Sequence, residues 1–270
     1  GSSPLLKKVA GAVAATAALG AATAAYGHFI ELNNFQLRTE SLPVLPAGSP
    51  DFRILHISDM HMIPGQQKKI DFMHSLAALE PDLVMNTGDN LSHVDGMGPL
   101  LEALDPLMDF PGVFVPGSNC YFAPVFKNPA RYLWQPRTPQ MIEEGSRVAL
   151  PIERMHEAFE SRGWTGLVNR YDTLNLKGLR LEFSGVDDPH LRYDEHPGFA
   201  PGAFDEGQEP SVRIGVAHAP YMRTLYRFVQ DGAQAIFAGH THGGQVCLPG
   251  GHALVSNCDL PPSRAKGVSE

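Results

Sequence analysis

Two aspartates, one asparagine and four histidines stand in short motifs whose donor types are those of a transition-metal cage. They are Asp59 and His61 in Asp59-Met60-His61, Asp89 in Gly88-Asp89-Asn90, Asn119 in Gly117-Ser118-Asn119, the single His218, and His240 and His242 in Gly239-His240-Thr241-His242. Asp59 and His61 lie two apart, so they share a face in a strand and can chelate one ion in the turn after it. Gly88 allows a close backbone approach, which lets Asp89 reach two cations at once. Asn119 offers a neutral oxygen, and His240 and His242 can diverge to one ion each. If one carboxylate bridges, the set suffices for two divalent cations. Two cations a few ångströms apart generate a hydroxide at neutral pH and clamp a phosphate ester during attack. Imidazole, carboxylate and amide oxygen together suit Mn, Fe, Zn or Ni better than Ca. The cofactors expected are therefore two divalent cations, Mn or Fe, with Zn also suited.

These residues need a scaffold that delivers them to one place, and the hydrophobic pattern supplies one. Phe52 to Ile57 is a mostly apolar strand that ends at Ser58-Asp59. Lys68 to Leu79 reads as a helix with Ile70, Met73 and Ala77 on one face and Pro81 at its end. Leu83 to Thr87 is a buried strand closed by Gly88, Pro99 to Met108 a helix, and Val113 to Val115 a strand closed by Pro116-Gly117. Alternating strands and helices with short turns predict parallel βαβ units. Ligands in such sheets sit at the carboxyl ends of the strands, where the first three motifs fall. Further on, Ile152, Met155 and Phe159 mark a helix, and Leu174 to Phe183 a hairpin around Lys177-Gly178. Val212 to Ala217 is a strand leading into His218, and Met222, Leu225 and Phe228 line a helix face. Ala235 to Ala238 is a strand leading into Gly239-His240, and Val246 to Val255 folds back as a second hairpin. Asp187-Asp188-Pro189-His190 either borders the site, with His190 reaching the substrate, or forms an Asx-type turn with His190 facing solvent.

Residues 120–148 break this rhythm with prolines and the aromatics Tyr121, Phe122, Phe126, Tyr132 and Trp134. A long irregular insertion of this kind is either a lid or binding loop, or a surface loop tucked over the core. The acidic stretch 204–209 reads as a solvated loop. At the N-terminus, Lys7 and Lys8 precede a charge-free, Ala-rich run from Val9 to Tyr26. That run reads as an uncleaved membrane anchor, a cleaved signal or an Ala-rich helix packed on the domain. The first two place the domain outside the cytoplasm. The division expected is an anchor or signal-like helix over 1–27, a linker over 28–51 and a catalytic domain over 52–270. The formal net charge of −8 argues against a broad basic surface for nucleic acid. It leaves phosphate-bearing small substrates open, because bound cations reverse the local charge. Three cysteines without a CxxC pair argue against a disulfide framework, a Cys247–Cys258 bridge being left open. The chain has no G-x-S-x-G, no Walker loop and no complete dinucleotide fingerprint.

The order DMH at 59–61, GDN at 88–90, GSNC at 117–120, AHAP at 217–220 and GHTHGGQ at 239–245 resembles the signature of the calcineurin-like metallophosphoesterase superfamily. It is most similar to the branch of membrane-anchored bacterial enzymes that end in GHTHGGQ. The resemblance implies a four-layer α/β sandwich. It implies Asp59, His61, Asp89 and His242 on one metal, and Asp89, Asn119, His218 and His240 on the other. It further implies hydrolysis of a phosphodiester or pyrophosphate, membrane-proximal or lipid-linked, with Asn90 and His93 contacting phosphate oxygens. The implied location is the bacterial cell membrane with the catalytic domain on the extracytoplasmic side. Two departures stand out. Cys120 occupies the place of a His that usually assists the leaving group, so that role is vacant, filled by His93 or His190, or filled by the thiol itself. Cys120 could instead take a softer metal. Only 28 residues follow His242, where members commonly continue with strands closing the second sheet, which implies a trimmed end. The rivals are a soluble nucleotide phosphodiesterase and a metal-binding protein left with weak or no catalysis by Cys120.

Overall fold

A computed structural model describes residues 35–124, 147–201, 211–241, 246–248, 252–255, 258–264 and 266–269. The segment read as an anchor, most of the aromatic insertion, the acidic stretch 204–209 and His242 lie outside the described residues. Among the described residues no helix is long and apolar enough to cross a membrane.

Parallel crossovers build the first sheet. Strand β1 (Ile54–Ile57) is followed by helix α1 (Gln67–Ser75) and β2 (Leu83–Asn86), then by α2 (Met97–Leu104) and β3 (Gly112–Phe114). The short α3 (Ser118–Tyr121) and the longer α4 (Ile152–Ser161) lead to β4 (Thr165–Gly166). The order is β1-β2-β3-β4 with every neighbouring pair parallel. The helix expected to reach Leu79 instead tightens into a 3₁₀ turn over Leu76–Leu79. It stops at Glu80, whose φ of 46° breaks the spiral, since the residue before Pro81 is disfavoured in the helical region.

The second sheet begins with the hairpin β5 (Arg170–Leu176) and β6 (Leu179–Gly185). Its two turn residues, Lys177 and Gly178, both have positive φ, the twist that suits a two-residue hairpin. Strand β7 (Ser211–Ala217), helix α5 (Met222–Gln230) and β8 (Ala235–Ala238) complete the order β5-β6-β7-β8, with β6, β7 and β8 parallel. A separate antiparallel pair, β9 (Val246–Leu248) and β10 (His252–Val255), matches the second expected hairpin.

Period-two alternation in the strands creates the layers. Leu83, Met85, Val113 and Val115 of the first sheet meet Leu181, Phe183, Val212, Ile214 and Val216 of the second in one apolar slab. The intervening residues Val84 and Phe114 face the other way, onto Ile70, Met73, Leu100, Leu104, Met155 and Phe159 of the helices. On the far side of the second sheet, Phe228 of α5 packs with Val186 and Ala217. The result is helices, sheet, sheet, helix, the layering that the family resemblance implies. Each fully buried side chain of this size stabilises the fold by about 1.5–3 kcal/mol.

Gly215 sets how closely α5 lies on the sheet, because a Cβ there would stand 2.6 Å from Cγ of Phe228. Gly215→Ala should therefore destabilise the protein by about 1–3 kcal/mol through overpacking. Urea unfolding checks this, and an unchanged midpoint would show that the helix yields at no cost.

Candidate metal centre

The carboxyl ends of both sheets converge on one edge. Beyond β1 and β2 the two segments continue side by side as loops. Asp59 N–H donates to Gly88 O at 2.9 Å, His61 N–H to Asp89 O at 2.9 Å and Met62 N–H to Asn90 O at 2.8 Å. The loop after β3 joins through Leu91 N–H to Asn119 O at 3.2 Å, and the loop after β8 through Gly239 N–H to His218 O at 2.8 Å. These bonds hold four motif residues in the left-handed region: Asp59 at φ 54°, His61 at 46°, Asp89 at 51° and His240 at 68°. Left-handed backbone costs an L-residue roughly 1–2 kcal/mol. Such positions persist only where surrounding bonds over-determine them, and they gather at functional sites.

Glycines make room for the cluster. A Cβ on Gly117 would fall 2.3 Å from Oδ1 of Asp89 and 2.6 Å from the His218 ring. Gly88, at φ +96°, has its missing Cβ 2.5 Å from Gly117 N.

Asp89 is the hub. Its Oδ1 accepts from the Asn119 backbone N–H at 2.8 Å, and its Oδ2 from Asn119 Nδ2 at 2.9 Å. Oδ2 also lies 3.3 Å from His218 Nε2 and 3.8 Å from His61 Nε2. The ring of His218 is aimed by its Nδ1, 2.7 Å from the carbonyl of Thr87. His240 Nδ1 stands 3.2 Å from His218 Nε2. His61 is held by Ser92 Oγ at 3.0 Å from its Nδ1. Asp59 Oδ2 accepts from Ser58 Oγ at 2.6 Å and from His240 N–H at 3.0 Å.

Two donor sets result, Asp89 with His218 and His240, and Asp59 with His61 and Asp89, the ligand atoms of each lying within 4.8 Å of one another. They share Asp89. Mixed carboxylate and imidazole donors at this spacing, in a cradle kept clear by glycine, fit a pair of divalent transition ions. The imidazoles are oriented by hydrogen bonds from their other nitrogens to a carbonyl and a hydroxyl, the usual support for a ligating His.

Charge balance shows the same pull. Burial opposes ionisation of Asp89, but His218 foremost, with His61, outweighs burial and holds its carboxyl far below the usual range. Burial likewise opposes a charged His218, yet Asp89, with Asp59 and Asp188, raises it to about 10. Burial together with the neighbouring His218 and His190 keeps His240 neutral.

The other expected residues fall in different places. Asn90 is buried, and its side-chain amide faces Sγ of Cys120 at 3.7 Å and Sδ of Met155 at 3.8 Å, inside the core. His93 is exposed and accepts from Asp95 N–H at the start of a 3₁₀ turn. Their hydrogen bonds thus go to groups outside the two donor sets. Cys120 is fully buried, and its sulfur also accepts from Gly117 N–H at 3.5 Å. Burial, with the charge of Asp89, pushes the thiol up to about 12. Cys120 is therefore a protonated core residue rather than a proton donor to substrate, and it belongs to neither donor set.

Both readings of Asp187-Asp188-Pro189-His190 hold in part. Asp188 accepts from the backbone N–H groups of His190 and Leu191, an Asx-type turn. Burial, with the charge of Asp89, raises its carboxyl to about 7 despite His218 nearby. His190 is not left facing solvent, because its ring lies against that of His240, with centroids 4.7 Å apart and the planes tilted by 44°. Two supports escaped the sequence reading: Tyr121 OH donates to both oxygens of Asp187, and Tyr221 OH meets His190 Nδ1 at 3.0 Å. Both tyrosines follow directly on a motif or a Pro, but nothing in their spacing tells a partnered tyrosine from a packed one.

A cation at His218 must displace the proton that Asp89 retains there, so metal affinity should rise with pH. Because the raised value lies near 10, the rise should continue through pH 6–9 at up to about tenfold per unit. Calorimetric Mn²⁺ titration in buffers of different protonation enthalpy checks this through the protons released. A flat affinity with no proton release would contradict it.

A family model of calcineurin-like phosphoesterases matches residues 52–244 of the chain, the span that carries both donor sets. The chain is also similar to the uncharacterized protein YpbG of Bacillus subtilis (strain 168). The two are 27 % identical over 213 residues, covering 78 % of this chain and 69 % of that protein. Membership implies a metal-dependent phosphoester hydrolase, the activity that paired donor sets around one carboxylate can support. On this match and this geometry, the chain belongs to the calcineurin-like phosphoesterase family.

Proposed function

We propose that the chain is a binuclear phosphoesterase that hydrolyses a phosphodiester or pyrophosphate, membrane-proximal or lipid-linked. The observation that carries the two-metal reading is the presence of Asp89 in both donor sets. In this reading Asp59, His61, Asp89 and His242 hold one cation, and Asp89, Asn119, His218 and His240 the other, with Mn or Fe favoured and Zn suited. Bound there, the cations would supply an activated water at neutral pH and positive charge for the phosphoryl oxygens. The chain's part is to hold Asp89 ionised between the two donor sets, to aim the His218 and His61 rings through Thr87 and Ser92, and to keep substrate in reach. With Cys120 buried, His190 on His240 is the imidazole best placed to meet the leaving group, its Nδ1 set by Tyr221.

The membrane assignment rests on sequence. Lys7 and Lys8 ahead of a charge-free run favour residues 1–27 as an anchor, 28–51 as a linker and the domain 52–270 on the extracytoplasmic side. The aromatics of the insertion favour a lipid-bearing substrate. We place the chain in the membrane-anchored bacterial branch on the same grounds, with GHTHGGQ at 239–245. Nothing in its charge calls for a nucleic-acid partner.

Hydrolysis of bis(p-nitrophenyl) phosphate by metal-stripped protein should return on adding Mn²⁺ and fall at least ~10³-fold in Asp89→Asn, about 4 kcal/mol of barrier. Turnover that persists in the variant would remove the hub role. Tyr132→Ala with Trp134→Ala should slow a lipid-linked pyrophosphate severalfold and spare the small diester. Equal losses on both would count against a lipid-binding insertion.

A further inference from the structure

The loop after β6 and helix α5 enclose a cleft of about 220 Å³ whose polar lining is Arg192, Arg223, Arg227, His196, Thr224 and Asp194. Three arginines and one aspartate are among the residues that line it. That carboxylate is committed: Asp194 pairs with Arg223 and accepts from Thr224 Oγ1 at 3.1 Å. His196 is tied to Asp231, its Nε2 2.7 Å from Oδ2. Arg192 and Arg227 are exposed and add positive charge beyond what the lining neutralises, in a chain whose net charge is −8. Arg192 is presented from a left-handed backbone at φ 60°, a conformation arginine adopts at a cost of roughly 1–2 kcal/mol and one that clusters at binding sites.

The cleft adjoins the metal centre through a short run of contacts. Arg223 donates to the carbonyl of Pro189 at 2.9 Å, and its guanidinium lies 5.1 Å over the Tyr221 ring. Tyr221 OH is 3.0 Å from His190 Nδ1, and the His190 ring lies tilted against that of His240. Two side chains, Tyr221 and His190, therefore stand between the lining Arg223 and a metal-site imidazole, so an ion held there is not the phosphate under attack.

We propose that this cleft is a second anion site, which binds a phosphate or carboxylate group through Arg192 and Arg227, with Arg223 fixed beside them. Planar guanidinium groups bind such oxygens in pairs and discriminate for them by geometry. The anion comes either from a distal group of the substrate, which rests on the phosphoesterase reading above, or from free phosphate in solution, which does not.

The test uses full-length protein stripped of metal by chelation, with inorganic phosphate as the probe, and compares it with the double variant Arg192→Gln, Arg227→Gln. Both positions are exposed, and an unchanged melting temperature confirms that the variant is folded. Calorimetry should show saturable phosphate binding that weakens at least tenfold in the variant. The Mn²⁺-loaded proteins then separate the sources. A KM raised at least fivefold for a diester carrying a distal phosphate, with KM for bis(p-nitrophenyl) phosphate unchanged, identifies a substrate group. Unchanged KM for both, with phosphate binding lost, identifies free phosphate. No saturable binding to the wild-type protein, or equal binding by both proteins, overturns the proposal. Because the first arm needs no turnover, it stands or falls apart from the hydrolytic assignment.

Discussion

A buried carboxylate surrounded by imidazoles governs this molecule. Asp89 is 2 % exposed and sits among His61, His218 and His240 with Asn119 bound to both its oxygens. An isolated ionised carboxylate at that depth would be prohibitively costly. Here the cost is offset by hydrogen bonds and by the proton that His218 retains. Divalent cations would replace that proton with a stronger counter-charge, and the imidazoles that surround Asp89 in their absence would be donors in their presence. The site is thus stable as a polar cluster and already arranged as a pair of donor sets. Such preorganisation lowers what binding must spend on ordering side chains.

The scaffold serves this centre through main-chain bonds rather than through side-chain packing alone. The loops after β1 and β2 continue the sheet's pairing past its end, up to an isolated parallel bridge between Met62 and Leu91. That continuation holds Asp59, His61 and Asp89 in backbone conformations they would not adopt freely. Each bond contributes about 0.5–1.5 kcal/mol net, comparable with the strain at each left-handed residue. The second sheet delivers His218 and His240 from the ends of adjacent parallel strands, so the apolar slab between the sheets fixes the distance across the site. Cys120 shows the division of labour within one turn of chain: Asn119 faces the hub while its neighbour is sealed into the core.

Much of this was legible in the sequence because two periodicities and the end of each strand carry the information. Apolar runs ending in Asp59, Asp89 or His218 gave both the βαβ order and the edge where the ligands gather, and the Lys177-Gly178 turn marked the hairpin. What was not legible depends on rotamers and loop paths. Asn90 and His93 follow Asp89 closely, yet Asn90 turns inward to two sulfurs and His93 outward to Asp95. Spacing along the chain cannot distinguish those outcomes. The two-residue strand β4 is too short for any pattern, and α3 is hidden inside a ligand motif. The Tyr121–Asp187 and Tyr221–His190 pairs join residues 66 and 31 positions apart, beyond the reach of local reasoning. The arginine cleft is assembled from a loop and a helix whose basic residues look unremarkable in a linear reading.

The central claim is that one carboxylate joins two metals, and the electron paramagnetic resonance spectrum of protein loaded with two equivalents of Mn²⁺ tests it most directly. A shared Asp89 predicts an exchange-coupled, many-line spectrum that collapses to isolated six-line signals in Asp89→Asn. Isolated six-line signals in the wild-type protein at full occupancy would mean that the two ions do not share a bridge, and the account built on Asp89 would fail.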